Sequence, residues 1–89
     1  MQKIDILLAT YNGEKFLAEQ IDSILTQTVT EWKLIIRDDG STDRTSAIIQ
    51  QYRDRHPDKI VWLQDNDFKL GVTKNFERLL KYSDGEYIM

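Results

Sequence analysis

The sequence predicts an α/β protein with a mostly parallel sheet, and three observations carry that prediction. Short apolar runs of strand length alternate along the 89 residues with stretches of helical period, in the order βαβαβαβ. Each of the first three runs ends in a polar cluster that cannot continue a strand. Strands joined through helices make right-handed crossovers and lie parallel, with helices on the sheet faces. The expectation is a Rossmann-like three-layer α/β/α arrangement, with residues 1–89 as a single domain.

The elements follow in order. Ile4 to Ala9 has five apolar residues in six and runs into Thr10-Tyr11-Asn12-Gly13, which reads as a buried strand and a turn. From Glu14, Leu17, Ile21, Ile24 and Leu25 fall at i, i+4, i+7 and i+8, one stripe of an amphipathic helix. Trp32 to Arg37 reads as a second strand, stopped by Asp38-Asp39-Gly40-Ser41-Thr42-Asp43. Ser41 or Thr42 is expected to cap the next helix, with Asp43 at its positive end, Ile48, Ile49 and Tyr52 on its apolar face, and a stop near Arg55 ahead of Pro57. Ile60 to Gln64 gives a third strand and Asp65 to Leu70 a polar loop. Val72, Phe76, Leu79, Leu80 and Ser83 have the spacing of a third helix, ended by Asp84-Gly85, and Glu86 to Met89 begins a fourth strand.

Composition narrows the function. Twelve Lys and Arg against fifteen Asp and Glu give a net charge of −3, which disfavours a nucleic-acid partner held by counterion release. With no cysteine there is no disulfide, thiol nucleophile or Cys-ligated zinc. The first residues lack the order of a signal peptide, and no apolar run approaches the roughly 20 residues that span a bilayer. The expected location is cytoplasmic, with room for a peripheral association at the inner membrane face.

Open α/β sheets bind ligands outside the carboxyl ends of their strands. Thr10-Tyr11-Asn12-Gly13, Asp38-Asp39-Gly40-Ser41 and Asp65-Asn66-Asp67 all fall on that edge. The first loop either stacks a planar base on Tyr11 or is a turn whose tyrosine covers the sheet end. The two adjacent acids repel each other, so they either accept hydrogen bonds from a nucleobase or ribose or belong to a helix-capping Asp-Gly turn.

These residues also carry a resemblance. Ala9-Thr10-Tyr11-Asn12, then Asp22-Ser23-Ile24-Leu25-Thr26-Gln27-Thr28, then Leu34-Ile35-Ile36-Arg37-Asp38-Asp39-Gly40-Ser41-Thr42-Asp43, and finally Gly71, Asn75 and Asp84-Gly85-Glu86-Tyr87-Ile88, resemble the amino-terminal half of a family 2 glycosyltransferase. The resemblance implies a GT-A fold whose first half binds the nucleotide of a sugar donor. It implies that Ala9, Thr10 and Tyr11 line the base pocket with Tyr11 stacked on the ring, and that Asp39 bonds the base edge, most often uracil. Asp38 and Asn12 complete the implied set, Asp38 mainly as a loop holder. In such enzymes a divalent metal, Mg or Mn, bridges the diphosphate from acids just after the fourth strand, and a later acid deprotonates the acceptor hydroxyl for an inverting transfer. Neither element is found in these 89 residues, so the chain is expected to be a C-terminally truncated half that binds nucleotide, holds no metal itself and does not transfer sugar alone. The complete enzyme would use a nucleotide-sugar donor and a glycan or lipid-linked acceptor. Where some relatives place an arginine, this sequence has Gly71 between Lys69 and Lys74, and either lysine, with Lys74 the candidate carried forward, could meet the diphosphate.

Other residues read as structural. His56 lacks partners for a zinc site, Trp32 and Trp62 read as core or rim packing, and Asp65-Asn66-Asp67 reads as a solvated turn. The absence of Gly-x-Gly-x-x-Gly and Gly-Lys-Ser/Thr disfavours dinucleotide oxidoreductases and P-loop NTPases. The alternative of another class is a small receiver-like regulatory or binding module using the acidic strand ends. An uncovered sheet edge would favour self-association.

Overall fold

The computed structural model describes residues 4–26, 32–65, 67–83 and 86–88, the last three and Ile4 by backbone alone. The elements run β1 (Ile4–Thr10), α1 (Leu17–Leu25), β2 (Trp32–Asp38), α2 (Thr45–Arg55), β3 (Ile60–Trp62), α3 (Val72–Tyr82) and β4 (Glu86–Ile88). The strands form one four-stranded parallel sheet in the order β3-β2-β1-β4. The chain steps outward from β1 to β3, then α3 crosses back over the sheet to place β4 on the other side of β1. That reversal is a topological switch point, and right-handed crossovers in opposite directions put α3 on the face opposite α1 and α2.

The two faces have different cores. Ile6, Leu34, Ile36 and Ile60 point to one side and pack with Leu17 and Ile21 of α1 and Ile49 and Tyr52 of α2. Leu7 and Ile35, their neighbours in sequence, point to the other side and meet Leu79 of α3. This is strand alternation with both faces covered, and it is why the runs read as almost continuously apolar.

The helix boundaries follow the stripes, with corrections. Neither Ser41 nor Thr42 caps α2. The helix begins at Thr45, whose N–H donates to the Asp43 carboxylate at 2.9 Å, while Ser41 is held by Asp38. The Asp43 carboxyl lies below its ordinary range because the Thr45 hydroxyl, the Thr45 amide and the Glu14 amide all donate to it. α2 ends at Arg55, one residue before His56 and two before Pro57. Val72 is not on the buried stripe of α3: it is 86% exposed, and Asn75 with Leu79 occupies the buried positions. β3 stops at Trp62, two residues earlier than expected. Gln27, Thr28, Asn66, Asp84, Gly85 and Met89 lie outside the described residues.

Candidate functional site

Register builds the site. β1 and β2 pair from Ile4 with Trp32 to Thr10 with Asp38, so the two strands end side by side. The Asp39 N–H then donates to Thr10 O at 2.9 Å and extends the pairing by one step. Asn12 adopts φ 51°, a left-handed conformation that asparagine tolerates, and turns the first loop onto the second. Its side-chain oxygen accepts the Thr42 N–H at 2.8 Å, and its own N–H donates to Ser41 Oγ at 2.7 Å. The Gly13 N–H donates to Thr45 Oγ1 at 2.9 Å, tying loop one to α2. Asn12 therefore stitches the two loops together and lies outside the cavities described below.

Alternation separates the two acids. Asp38 belongs to the α1/α2 side, where its carboxylate accepts the Ser41 N–H at 3.0 Å and the Ser41 hydroxyl. Asp39 belongs to the α3 side and is 3% exposed. Its Oδ1 accepts the Leu70 N–H at 2.9 Å and Arg37 Nη1 at 3.3 Å, and its Oδ2 accepts the Gly71 N–H at 3.0 Å. Burial pushes the Asp39 carboxyl upward, but those two amides and the guanidinium outweigh it and hold the group below its ordinary value. Gly71 sits at φ +92°, a conformation open to glycine that aims its amide at this carboxylate.

Two cavities flank the Asp38-Asp39-Gly40 turn, each of about 590 Å³. The one on the α3 side is lined by Ala9, Thr10, Tyr11, Asp39, Lys69 and Gly71, among others, and is bounded by Phe16 and Gln20 of the first loop and α1. Tyr11, 48% exposed, offers an uncovered ring here. The other cavity lies between β3 and α2 and holds Asp38, Ser46, Trp62 and Gln64. Gly40, at φ +82°, lets the turn pass between them, since a Cβ there would come within 2.9 Å of Phe68 Cβ.

The structure thus brings four of the expected residues, Ala9, Thr10, Tyr11 and Asp39, to one cavity and puts Asp38 on the other. Lys74 is exposed on α3 and outside the lining, whereas Lys69 lines the cavity in a left-handed conformation at φ 57°. The lysine placed at the site is therefore Lys69, because α3 carries Lys74 away from the edge.

A residue the motifs did not single out organises this edge. Arg37, 1% exposed, points from β2 toward α3. Its five N–H groups meet Asp65 Oδ1 at 2.7 Å and Oδ2 at 3.1 Å, Asp39 Oδ1, Asn75 Oδ1 at 2.9 Å and the Asp67 carbonyl. The hydrogen bond with Asp65 is the main reason the Arg37 pKa lies above its ordinary value, against burial and with Asp39 adding to it. The same bond holds the Asp65 carboxyl below its own ordinary value. Arg78 joins Asp65 at 3.4 Å and Asp67 at 2.6 Å. The Asp65 segment is therefore an ion-pair anchor and not a solvated turn. The sequence signal was the cation itself, lodged after Leu34-Ile35-Ile36.

No group of three or more metal-ligating side chains converges among the described residues. Asp39 and Asp65 are engaged by amides and guanidinium groups and Asp38 by Ser41, so this donor set does not fit a divalent ion.

Comparison with known proteins identifies the family and the fold. The family model "Glycosyl transferase family 2" matches residues 5–89. The poly(ribitol-phosphate) beta-N-acetylglucosaminyltransferase TarS of Staphylococcus aureus (strain Mu50 / ATCC 700699) is 33% identical over 91 residues, covering 100% of this chain and 16% of that protein. The dTDP-rhamnosyl transferase RfbG of Shigella flexneri is 39% identical over 79 residues, covering 89% of this chain and 27% of that protein. The crystal structure of TarS 1-349 in complex with UDP-GlcNAc superposes with a TM-score of 0.81 at 28% identity, over 97% of this chain and 26% of that one. The mannosyltransferase PcManGT from Pyrobaculum calidifontis, in complex with GDP-Man and Mn2+, gives a TM-score of 0.83 at 21% identity, over 94% and 25%, which is a likeness of fold. The chain spans less than a third of the length of each of these proteins. With a family match across residues 5–89 and the fold shared with these glycosyltransferase structures, this chain belongs to glycosyl transferase family 2.

Proposed function

We propose that this chain supplies the donor-nucleotide site of a glycosyltransferase that moves a sugar from a nucleotide-diphosphate donor, UDP-linked, to a hydroxyl of a glycan or lipid-linked acceptor with inversion. The observation that carries the reading is the convergence of Ala9, Thr10, Tyr11 and Asp39 on one cavity at the switch point. Tyr11 stacks on the base. Asp39, kept ionised by its amide partners, is an acceptor only, and it receives the ring N–H of the base. Uracil, thymine and guanine carry such an N–H, while cytosine and adenine present a ring acceptor at that place and leave two lone pairs facing each other. The relatives named for UDP-, dTDP- and GDP-linked donors fall in the first group. Lys69, beside the start of α3, meets the diphosphate.

The divalent metal of the complete enzyme would lie outside this donor set, so the part of these residues is to hold the nucleotide and orient its diphosphate. A cytoplasmic location, peripheral at the inner membrane face in the full-length enzyme, is part of this proposal. The receiver-like alternative needs an open acceptor aspartate at a strand end, and Asp65 instead carries two guanidinium groups.

Calorimetric titration with UDP, of the chain and of its Asp39→Ala and Tyr11→Ala variants, tests the reading. Saturable binding by the parent chain is expected, lost in Asp39→Ala and weakened in Tyr11→Ala. Equal binding by all three would place the nucleotide elsewhere.

A further inference from the structure

We infer that Arg37 is a positioning residue for base recognition: from inside the sheet it fixes the Asp39 carboxylate and, by holding Asp65 and Asp67, anchors the segment that brings Lys69 and Gly71 to the cavity, so the base meets a fixed acceptor. This rests on the nucleotide reading above and deepens it.

Arg37 does not itself line the cavity, but it bonds directly to two residues that do, Asp39 and Asn75. It reaches Asp39 on β2's own end, Asp65 and Asp67 in the loop, and Asn75 on α3. Asn75 in turn donates from Nδ2 to Thr10 O at 3.3 Å, so the contacts close a ring around the end of β1. A guanidinium is a rigid planar fork, and with each of its five N–H groups engaged it fixes direction as well as charge.

Asp39 is consequently held by three donors while still facing the cavity. Among the described residues the Gly71 amide alone engages Oδ2, which leaves acceptor capacity on that atom for a ligand N–H. Without Arg37 the Leu70 and Gly71 amides would still touch the carboxylate, but the loop that carries them would lose its anchor through Asp65 and Asp67. Among the described residues the charged groups near Asp39 are Arg37 and the adjacent Asp38 on β2, Asp65, Asp67 and Lys69 in the facing loop, and Arg78 on α3 beyond Asp65. Arg37 is the cation that bonds Asp39 directly.

A purely structural arginine would weaken folding and leave base choice untouched, and that separates the two roles. The experiment measures affinity of the 89-residue chain for a UDP-sugar and for the matching CDP-sugar, whose diphosphate diesters do not titrate near neutrality. The variants are Arg37→Met, Arg37→Lys, Asp65→Asn and Tyr11→Ala. The parent chain is expected to prefer the uridine compound by roughly tenfold or more. Arg37→Met is expected to abolish that preference and to raise the Asp39 carboxyl titration followed by carbon NMR, with Arg37→Lys between the two. Tyr11→Ala is expected to weaken both ligands equally and leave the Asp39 titration in place. If Arg37→Met does not fold, Arg37→Lys and Asp65→Asn carry the test through the same preference. A folded Arg37 variant with unchanged preference and unchanged Asp39 titration overturns the positioning role while the nucleotide reading stands. A parent chain that binds neither compound overturns the nucleotide reading, and this inference with it.

Discussion

The two faces of the sheet are built from the same strands and do different work. Toward α1 and α2 the strands send Ile6, Leu34, Ile36 and Ile60 into a continuous apolar core. Toward α3 the apolar part shrinks to Leu7, Ile35 and Leu79 with their part-buried neighbours, and the rest is polar: Arg37, Asp39 and Asn75 at one end, Asp5 at the other. Burying those groups costs free energy unless each finds partners: Arg37, Asp39 and Asn75 find theirs in one another and in the backbone and acids of the strand-end loops, while Asp5 accepts the Ser83 hydroxyl. One face supplies stability and the other converts part of it into a fixed arrangement of donors and acceptors. The adjacent acids express the same division, with Asp38 tied off by Ser41 on the first face and Asp39 presented on the second.

If that division holds, substitutions on the two faces should separate stability from binding. Leu34→Ala, at a fully buried position in the larger core, should cost about 2–5 kcal/mol in urea unfolding. Its nucleotide affinity, measured where it remains folded, should match the parent; a parallel loss would mean the faces are coupled. Arg37→Met should cost a similar amount, about 3–5 kcal/mol, because it removes the cation paired with the buried Asp39 carboxylate and leaves the part-buried Asp65 to Arg78 alone. Unlike Leu34→Ala it should also alter binding. Tyr11→Ala should lower affinity by about 1–3 kcal/mol through lost stacking and leave the unfolding midpoint within error, since the ring is half exposed.

Acid sharpens the comparison. The Asp39 and Asp65 carboxyls lie below their ordinary values in the folded chain, so on acidification the unfolded chain takes up protons first. Their stabilisation is complete above the ordinary carboxylate range and drains away as pH falls from about 4 toward the folded values. Urea midpoints should fall over that interval in the parent and fall less in Asp65→Asn. The smallest effect belongs to Tyr52→Phe, which removes the 2.6 Å bond from the Tyr52 hydroxyl to Asp22 that joins α2 to α1. It should cost about 1 kcal/mol and leave binding alone.

Most of the fold was legible because alternation and helical spacing are local. The stripe Leu17, Ile21, Ile24, Leu25 and the run Leu34-Ile35-Ile36 each point to a buried surface without knowledge of what covers it. The cavity residues in the first two loops were legible through the ordered motifs. Arg37 was not, because its partners Asp65 and Asn75 lie 28 and 38 residues away and only the crossover of α3 brings them near. Lys69 and Lys74 could not be separated for a related reason. They flank the same glycine closely in sequence, and the left-handed backbone at Lys69 and the helix under Lys74 send them to different surfaces. The α2 cap was misplaced because Ser41 and Thr42 had a competing use, joining the second loop to Asp38 and Asn12.

The account's central claim is that the nucleotide lies on the α3 side of the Asp38-Asp39-Gly40 turn. Amide NMR of the chain titrated with UDP-GlcNAc tests it most directly, because each cavity has its own reporters. Shifts concentrated at Ala9, Thr10, Tyr11, Asp39, Lys69 and Gly71, with Ser46, Trp62 and Gln64 unmoved, are the predicted result. Shifts concentrated at Ser46, Trp62 and Gln64 would contradict it.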